Sequence, residues 1–183
     1  MFLENHGVFV AGNTAEEIRA VYGRVMATLK QAYAACGVAS EVPVAEAPEA
    51  AAVADWSQAL ADGLGADGAA VAVSGRFDAG SGPISPDHIV YAKSYPFEGV
   101  LTPENLRAVK AARGYAPRVV VTDRAVLGVG ANEKTARLAL ELALDGALVK
   151  QLTRAFGGLQ YLSDVSRGFI ENWEVESYRA KQA

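Results

Sequence analysis

From residue 132 to residue 156 the chain places Ala, Leu or Val on most faces of what its spacing makes one long helix. A helix that is apolar on most sides is buried against more than one layer, or against another subunit. The segments just before it supply such a layer. Residues 118–122 hold three consecutive valines and residues 125–129 form a second apolar run, joined by a turn at Asp123-Arg124. Both read as buried strands. Further helices alternate with short strands upstream, so the expected class is α/β, in two or three layers.

Residues 2–11 form an apolar run interrupted by Asn5-His6-Gly7 and read as a buried strand, closed by a turn at Gly12-Asn13. Thr14, with Glu17 three residues on, is a helix-starting capping box. Ile18, Val21, Tyr22, Val25, Met26, Leu29 and Tyr33 then follow as one helical stripe that stops at Gly37. Residues 38–49, with Pro43 and Pro48, have little periodicity and read as a linker and domain boundary. A helix over 49–64 should bury Val53, Trp56 and Leu60, and 69–73 is a short strand. Residues 74–86, rich in Gly, Ser and Pro, read as loop, and 89–91 as a brief extended or helical turn. Thr102-Pro103-Glu104 starts a helix that Gly114 ends. A polar helix is expected over 164–181, anchored by Phe169, Ile170 and Trp173.

About half of the 183 residues are hydrophobic and a fifth charged, the balance of a chain with a real core rather than a disordered one. The formal charge of −4 is spread out, and no Lys/Arg cluster is interleaved with aromatics, which argues against a nucleic-acid surface. No apolar run reaches the length of a membrane span, and no basic segment precedes a hydrophobic stretch at the N-terminus. The single Cys36, with no His near it in sequence, reads as a small buried thiol of a reducing compartment. The chain is therefore expected to be cytoplasmic and soluble.

Three places carry candidate chemistry. A His inside an apolar strand needs a partner, and the Gly7 beside His6 leaves room for a ligand or metal; a satisfied core histidine is the commoner outcome. In Pro86-Asp87-His88, running on to Lys93, the carboxylate can accept from an imidazole or amide and the amine can hold an anionic substrate group. The plain alternative is a turn capped by Ser85 or Asp87, with His88 facing water. Gly128-Val129-Gly130, between strand and helix, resembles a phosphate-binding turn, but Glu133 stands where such a fingerprint wants its third Gly, so a structural turn is expected.

Residues 2–17, Phe-Leu-Glu-Asn-His-Gly-Val-Phe-Val-Ala-Gly-Asn-Thr-Ala-Glu-Glu, resemble the class II aldolase/adducin family, in which a His-Gly, a hydrophobic strand, a Gly and a Thr-x-Glu-Glu helix start recur in that order. In catalytic members this histidine is a zinc ligand, which implies that role for His6. Looser similarity extends over nearly the whole chain. Pro86-Asp87-His88 with Lys93, Pro117-Arg118-Val119, the glycines of 128–130, the stretch 134–137 and the acidic-Trp ending at 171–176 are similar to the aldolase half of bifunctional rhamnulose-phosphate aldolase/alcohol dehydrogenases. Asp87, His88 and Lys93 are substrate-contact candidates by chemistry alone; the resemblance implies no role for them.

The resemblance implies zinc-dependent carbon–carbon cleavage of a sugar phosphate or related hydroxycarbonyl compound. It also implies a His-x-His pair and a catalytic Glu upstream of the matching segment. This chain has two histidines, His6 and His88, and neither belongs to such a pair, whereas a catalytic zinc takes about three protein ligands. Residues 1–40 thus read as the last strand and helix of an aldolase-like domain, and 41–183 as a compact layered α/β extension. The chain reads as a portion of a longer lyase, not expected to retain zinc or to be active by itself and containing no complete catalytic set. The competing expectation is a non-catalytic, adducin-like module for ligand binding or assembly. The stripe from Ile18 to Tyr33 points to a homo-oligomer.

Overall fold

The computed structural model describes residues 1–80 and 82–173. Two short strands, β1 (Phe2–Leu3) and β2 (Gly7–Val8), pair antiparallel ahead of helix α1 (Ala15–Ala35). Helix α2 (Ala50–Leu64) leads through a 3-10 turn, Gly65–Gly68, into β3 (Ala70–Gly75). A π-helical turn (His88–Ala92) precedes β4 (Phe97–Glu98), α3 (Pro103–Arg113), β5 (Val119–Val121), β6 (Ala125–Gly130), α4 (Glu133–Leu152) and α5 (Asp164–Asn172). The four longer-range strands form one open sheet in the order β3-β6-β5-β4, with β3/β6 and β6/β5 antiparallel and β5/β4 parallel.

The strand period of two sorts the valines between two cores. Val120, Ala125, Leu127 and Val129 face α2 and α3, where they meet Leu60, Leu64 and Leu106. Val119, Val121 and Val126 face the other way, onto Ala143 and Ala147 of α4. The result is three layers, helices α2 and α3, the sheet, then α4. Leu60 and Leu106 are fully buried and Trp56 packs against them, as the spacing of α2 predicts.

Local signals set the helix ends. Thr14 Oγ1 accepts from Glu17 N at 3.1 Å, Thr102 Oγ1 from Asn105 N at 3.3 Å, and Asn132 Oδ1 from Thr135 N at 2.9 Å. Gly114, at φ 76°, closes α3 in the left-handed conformation.

Several expectations are corrected. Residues 2–11 are not one buried strand but an exposed hairpin, because Asn5 (φ 53°) and Gly7 (φ 148°) turn the chain back; Phe2 is 71% exposed. Gly128 and Gly130 lie within β6 rather than in a turn, on the face that meets α4. The long helix buries only Ala136, Ala139, Ala143, Gly146 and Ala147, a row of small residues, and leaves Leu144 exposed. Residues 38–49, irregular as their lack of periodicity implies, are bonded to the rest of the chain: Ala45 N donates to Arg76 O (2.8 Å), and Gln151 Nε2 donates to Ala39 O (2.7 Å) and Glu41 O (2.9 Å). Cys36 is exposed. Phe169 and Trp173 are exposed rather than anchoring. The continuation of the last helix to residue 181, and the end of the acidic-Trp stretch, lie outside the described residues. No helix among the described residues is long and apolar enough to cross a membrane.

Candidate functional site

The β1–β2 hairpin is too short to be stable alone, since two strands of two residues bury almost nothing. It is held by Asn5, whose Nδ2 donates to Ile84 O at 2.9 Å and to Gln160 O at 2.8 Å. The same turn therefore presents His6 and fixes it against the loop that carries Ser85, Asp87 and His88. Asn5→Ala removes both bonds, each contributing about 1 kcal/mol, so amide exchange in residues 2–8 is expected to quicken by roughly tenfold or more, with the sheet unaffected. Equal exchange rates in the variant would mean that something else holds the hairpin.

Beside the hairpin lies a cleft of about 740 Å3 lined by His6, Tyr33, Ser85, Asp87, His88 and Asp145, among others. A second hollow of about 580 Å3, on the side of α5, also takes in His6 and Asp87 and is walled by Phe169, Ile170 and Trp173. The Phe169 and Trp173 rings lie 5.5 Å apart, one turn from each other along the chain. The fold thus brings His6, Asp87 and His88 together on one cleft. Among the described residues, no Lys or Arg lines either hollow.

His88 is held by its own loop. Ser85 Oγ lies 2.7 Å from Nδ1, and the backbone N of His88 donates to the same oxygen at 3.5 Å. With the hydroxyl donating to Nδ1, the ring proton resides on Nε2. That atom is 3.4 Å from Asp145 Oδ2 but not aligned for a hydrogen bond, and it is buried with no hydrogen-bond partner among the described residues. The poor alignment and the half-exposed carboxylate make Asp145 an electrostatic neighbour rather than an anchor. The ring is 12% exposed, so His88 does not face water.

Lys93 does not join this cleft. It shares with His88 a narrow slot of about 20 Å3, room for one water-sized group, walled by Gly80, Gly82 and Gly146. A methyl group on Gly146 would stand 3.4 Å from His88 Nε2. Lys93 Nζ sits over the Tyr115 ring, 5.5 Å from its centre. Burial, together with the nearby Arg118, lowers the Lys93 pKa from its ordinary value, against the pull of Glu171. Burial and Glu171 raise the Tyr115 pKa, opposed by Arg113 and Arg167. Glu171 accepts from Ser94 Oγ at 2.5 Å and from Arg167 Nη1 at 2.7 Å.

Tyr115 and Asp145 were not among the residues singled out from the sequence; Ser85 was named only as a cap, and Arg118 and Glu171 only within stretches similar to the family. Ser85–His88 has the i, i+3 spacing of a cap and Arg167–Glu171 the i, i+4 spacing of a helical ion pair; the others have no sequence signal. A zinc centre is not assembled from these residues. His6 offers one exposed imidazole, and among the described residues no group of three or more His, Cys, Asp or Glu is placed to hold a metal ion. Comparison with models of known protein families, with curated proteins and with solved structures finds no match to this chain.

Proposed function

We propose that the chain is a portion of a class II aldolase-like lyase that acts on a sugar phosphate or related hydroxycarbonyl compound. In this reading His6 is one imidazole of a metal site whose other ligands, a His-x-His pair, and whose acid/base Glu come from a separate polypeptide segment. The residues present do not fit a zinc ion by themselves, so no chemical step is assigned to one here. What this chain contributes is placement. The observation that carries the reading is the Asn5 clamp, which holds the His6 turn against the wall bearing Asp87 and His88. A hydroxycarbonyl substrate in that cleft meets imidazole and carboxylate groups able to bond its hydroxyls.

A second reading, a non-catalytic module that assembles with copies of itself or another domain, has its own support. Helix α1 buries none of its 21 residues, and Ile18 and Tyr22 stand exposed on it. A helix of that length gains most of its stability from an apolar face packed on something else.

Cleavage of a ketose 1-phosphate separates the two, measured with this chain joined to a class II aldolase-type segment that carries the His-x-His pair and Glu. The lyase reading expects zinc-dependent cleavage that His6→Ala abolishes, and substoichiometric zinc on this chain alone. Cleavage that survives His6→Ala removes the metal-ligand role, and no cleavage in any combination leaves the assembly module. Equimolar tight zinc together with cleavage by this chain alone would show the donor count to be wrong.

A further inference from the structure

Ser85 stands at the head of the helical turn that carries His88, yet its hydroxyl is not spent on that turn. At the helix starts Thr14, Thr102 and Ser163, the capping oxygen accepts from the backbone N three residues on at 3.1, 3.3 and 3.2 Å. At Ser85 that amide is 3.5 Å away, the outer limit of a bond, while Nδ1 of the same His88 lies at 2.7 Å. A hydroxyl aimed at an imidazole lone pair is a nucleophile beside its base. On the far side of the ring, Nε2 is 3.4 Å from Asp145 Oδ2. One imidazole thus joins a serine to a carboxylate, the set that acyl transfer uses, with the two ring nitrogens exchanged relative to serine proteases.

Each of the three groups is anchored. Ile84 and Ile89, which flank Ser85 and His88, are buried, and Asn5 Nδ2 donates to Ile84 O at 2.9 Å. Pro86 fixes the backbone just after the serine. Asp145 reaches the ring because its neighbour Gly146 lets α4 close on the loop. A methyl group at Gly146 would stand 2.9 Å from Ile84 Cδ1 and 3.4 Å from His88 Nε2. Ser85, His88 and Asp145 all line the cleft of about 740 Å3, whose other walls include Leu29, Tyr33 and Phe156. A cleft of that volume takes a small molecule, and apolar walls with no Lys or Arg among the described residues suit an uncharged one.

We propose that Ser85 is an acyl-accepting nucleophile, with His88 as its base, for uncharged carboxylic esters bound in this cleft. Ser85 Oγ adds to the ester carbonyl carbon as its proton passes to His88 Nδ1, and the C=O π electrons move to oxygen. They return as the bond from carbon to the alcohol oxygen breaks, and Nδ1 gives its proton to the departing alkoxide. Water then adds to the acyl-serine with Nδ1 as base again; collapse releases the acid, and the proton returns to Ser85 Oγ. The sum is ester plus water to acid plus alcohol, with nothing oxidised or reduced. Asp145 touches no reacting atom; it is a positioning residue whose charge steadies the doubly protonated ring. No metal takes part, so the proposal stands apart from the lyase reading.

The test mixes the whole chain, with a chelator present, with 4-nitrophenyl butyrate, quenches in acid and maps the peptides by mass. Ser85 is expected to take up the butyryl group roughly a hundredfold faster than the exposed Ser40, the gain that a placed general base supplies. Nitrophenolate release should show a burst that matches the acyl-Ser85 formed. Ser85→Ala and His88→Gln, each checked for a native circular dichroism spectrum, should lose both burst and adduct. Asp145→Asn is expected to slow acylation about twofold to fivefold, the worth of a half-exposed charge pair, and Asp145→Glu to recover it, a pattern that a merely structural role would not give. Butyrylation of Ser85 no faster than of Ser40 in the wild-type chain overturns the proposal whether or not any variant folds. So does release that survives Ser85→Ala and is lost in His6→Ala, which would put the reactivity on a free imidazole.

Discussion

Gly128→Ala is expected to cost the fold about 3 kcal/mol or more, the upper end for overpacking a core, and to move the urea midpoint down accordingly. Gly128 lies in β6, which is hydrogen-bonded to β3 on one side and β5 on the other. A Cβ there would fall on the carbonyl oxygen of Ala136 and within 2.7 Å of the backbone N of Leu140. Both obstacles are main chain of α4, so no rotamer change relieves them. Helix α4 has to retreat, and with it Ala143 and Ala147 lose contact with Val119, Val121 and Val126. The same substitution at Gly23 is the control. That glycine is within α1 with nothing within 4 Å of its would-be Cβ, so alanine there should stabilise by up to about 1 kcal/mol through helix propensity alone. Equal midpoints for Gly128→Ala and the wild type would mean that α4 is not seated on the sheet as described.

Gly128 also shows where sequence reasoning reached and where it stopped. The pair of glycines was visible between a strand and a helix, and was read as a turn, whereas both lie within β6. That they exist to let a helix approach a strand was not visible, because the atoms they avoid belong to residues packed in three dimensions. The helix starts at Thr14 and Thr102 were legible because each cap bonds three residues ahead; Asn132 caps α4 in the same way, but that helix was read from its apolar residues. The valine strands were legible because alternate residues must face opposite layers. Strand β4 was not, since two residues carry no period and it exists only as the parallel neighbour of β5. The hairpin was missed for a related reason: Asn5 turns the chain with bonds to partners 79 and 155 residues away. Helical spacing told which side chains of α5 share a face, and nothing about whether that face is covered. At the candidate site, His6, Asp87, His88 and Lys93 were found by residue type. The division between them, three on the cleft and Lys93 turned into a slot, follows from the backbone at 92–94 and from Glu171, which lies 78 residues beyond Lys93 along the chain.

Lys93→Gly should yield a protein more stable than the wild type at neutral pH, by about 1 kcal/mol. Lys93 stands at φ 65°, ψ 162°, and releasing a side chain from that backbone conformation returns about 1–3 kcal/mol. Against it stand the unfolded-state entropy of glycine, about 0.5–1 kcal/mol, and the lost contact with Tyr115, of about the same size. Removing a cation that burial and Arg118 disfavour adds to the gain, and this part depends on pH. Because the Lys93 pKa is lowered in the fold, the unfolded chain holds a proton that the folded chain has released throughout the window between that lowered value and 10.5. Wild-type stability therefore rises through that window relative to the variant, and the difference narrows as the solution becomes more alkaline. Tyr115, whose pKa is raised, acts in the opposite sense above its ordinary value of 10.0, where the unfolded chain loses its proton first; being present in both proteins, it largely cancels from their difference. What remains at high pH is the strain less the entropy of glycine. Parallel urea titrations of the two proteins from neutral to alkaline pH would resolve both parts. A variant less stable than the wild type at pH 7, or a difference that widens with pH, would place Lys93 among the residues that hold the fold together.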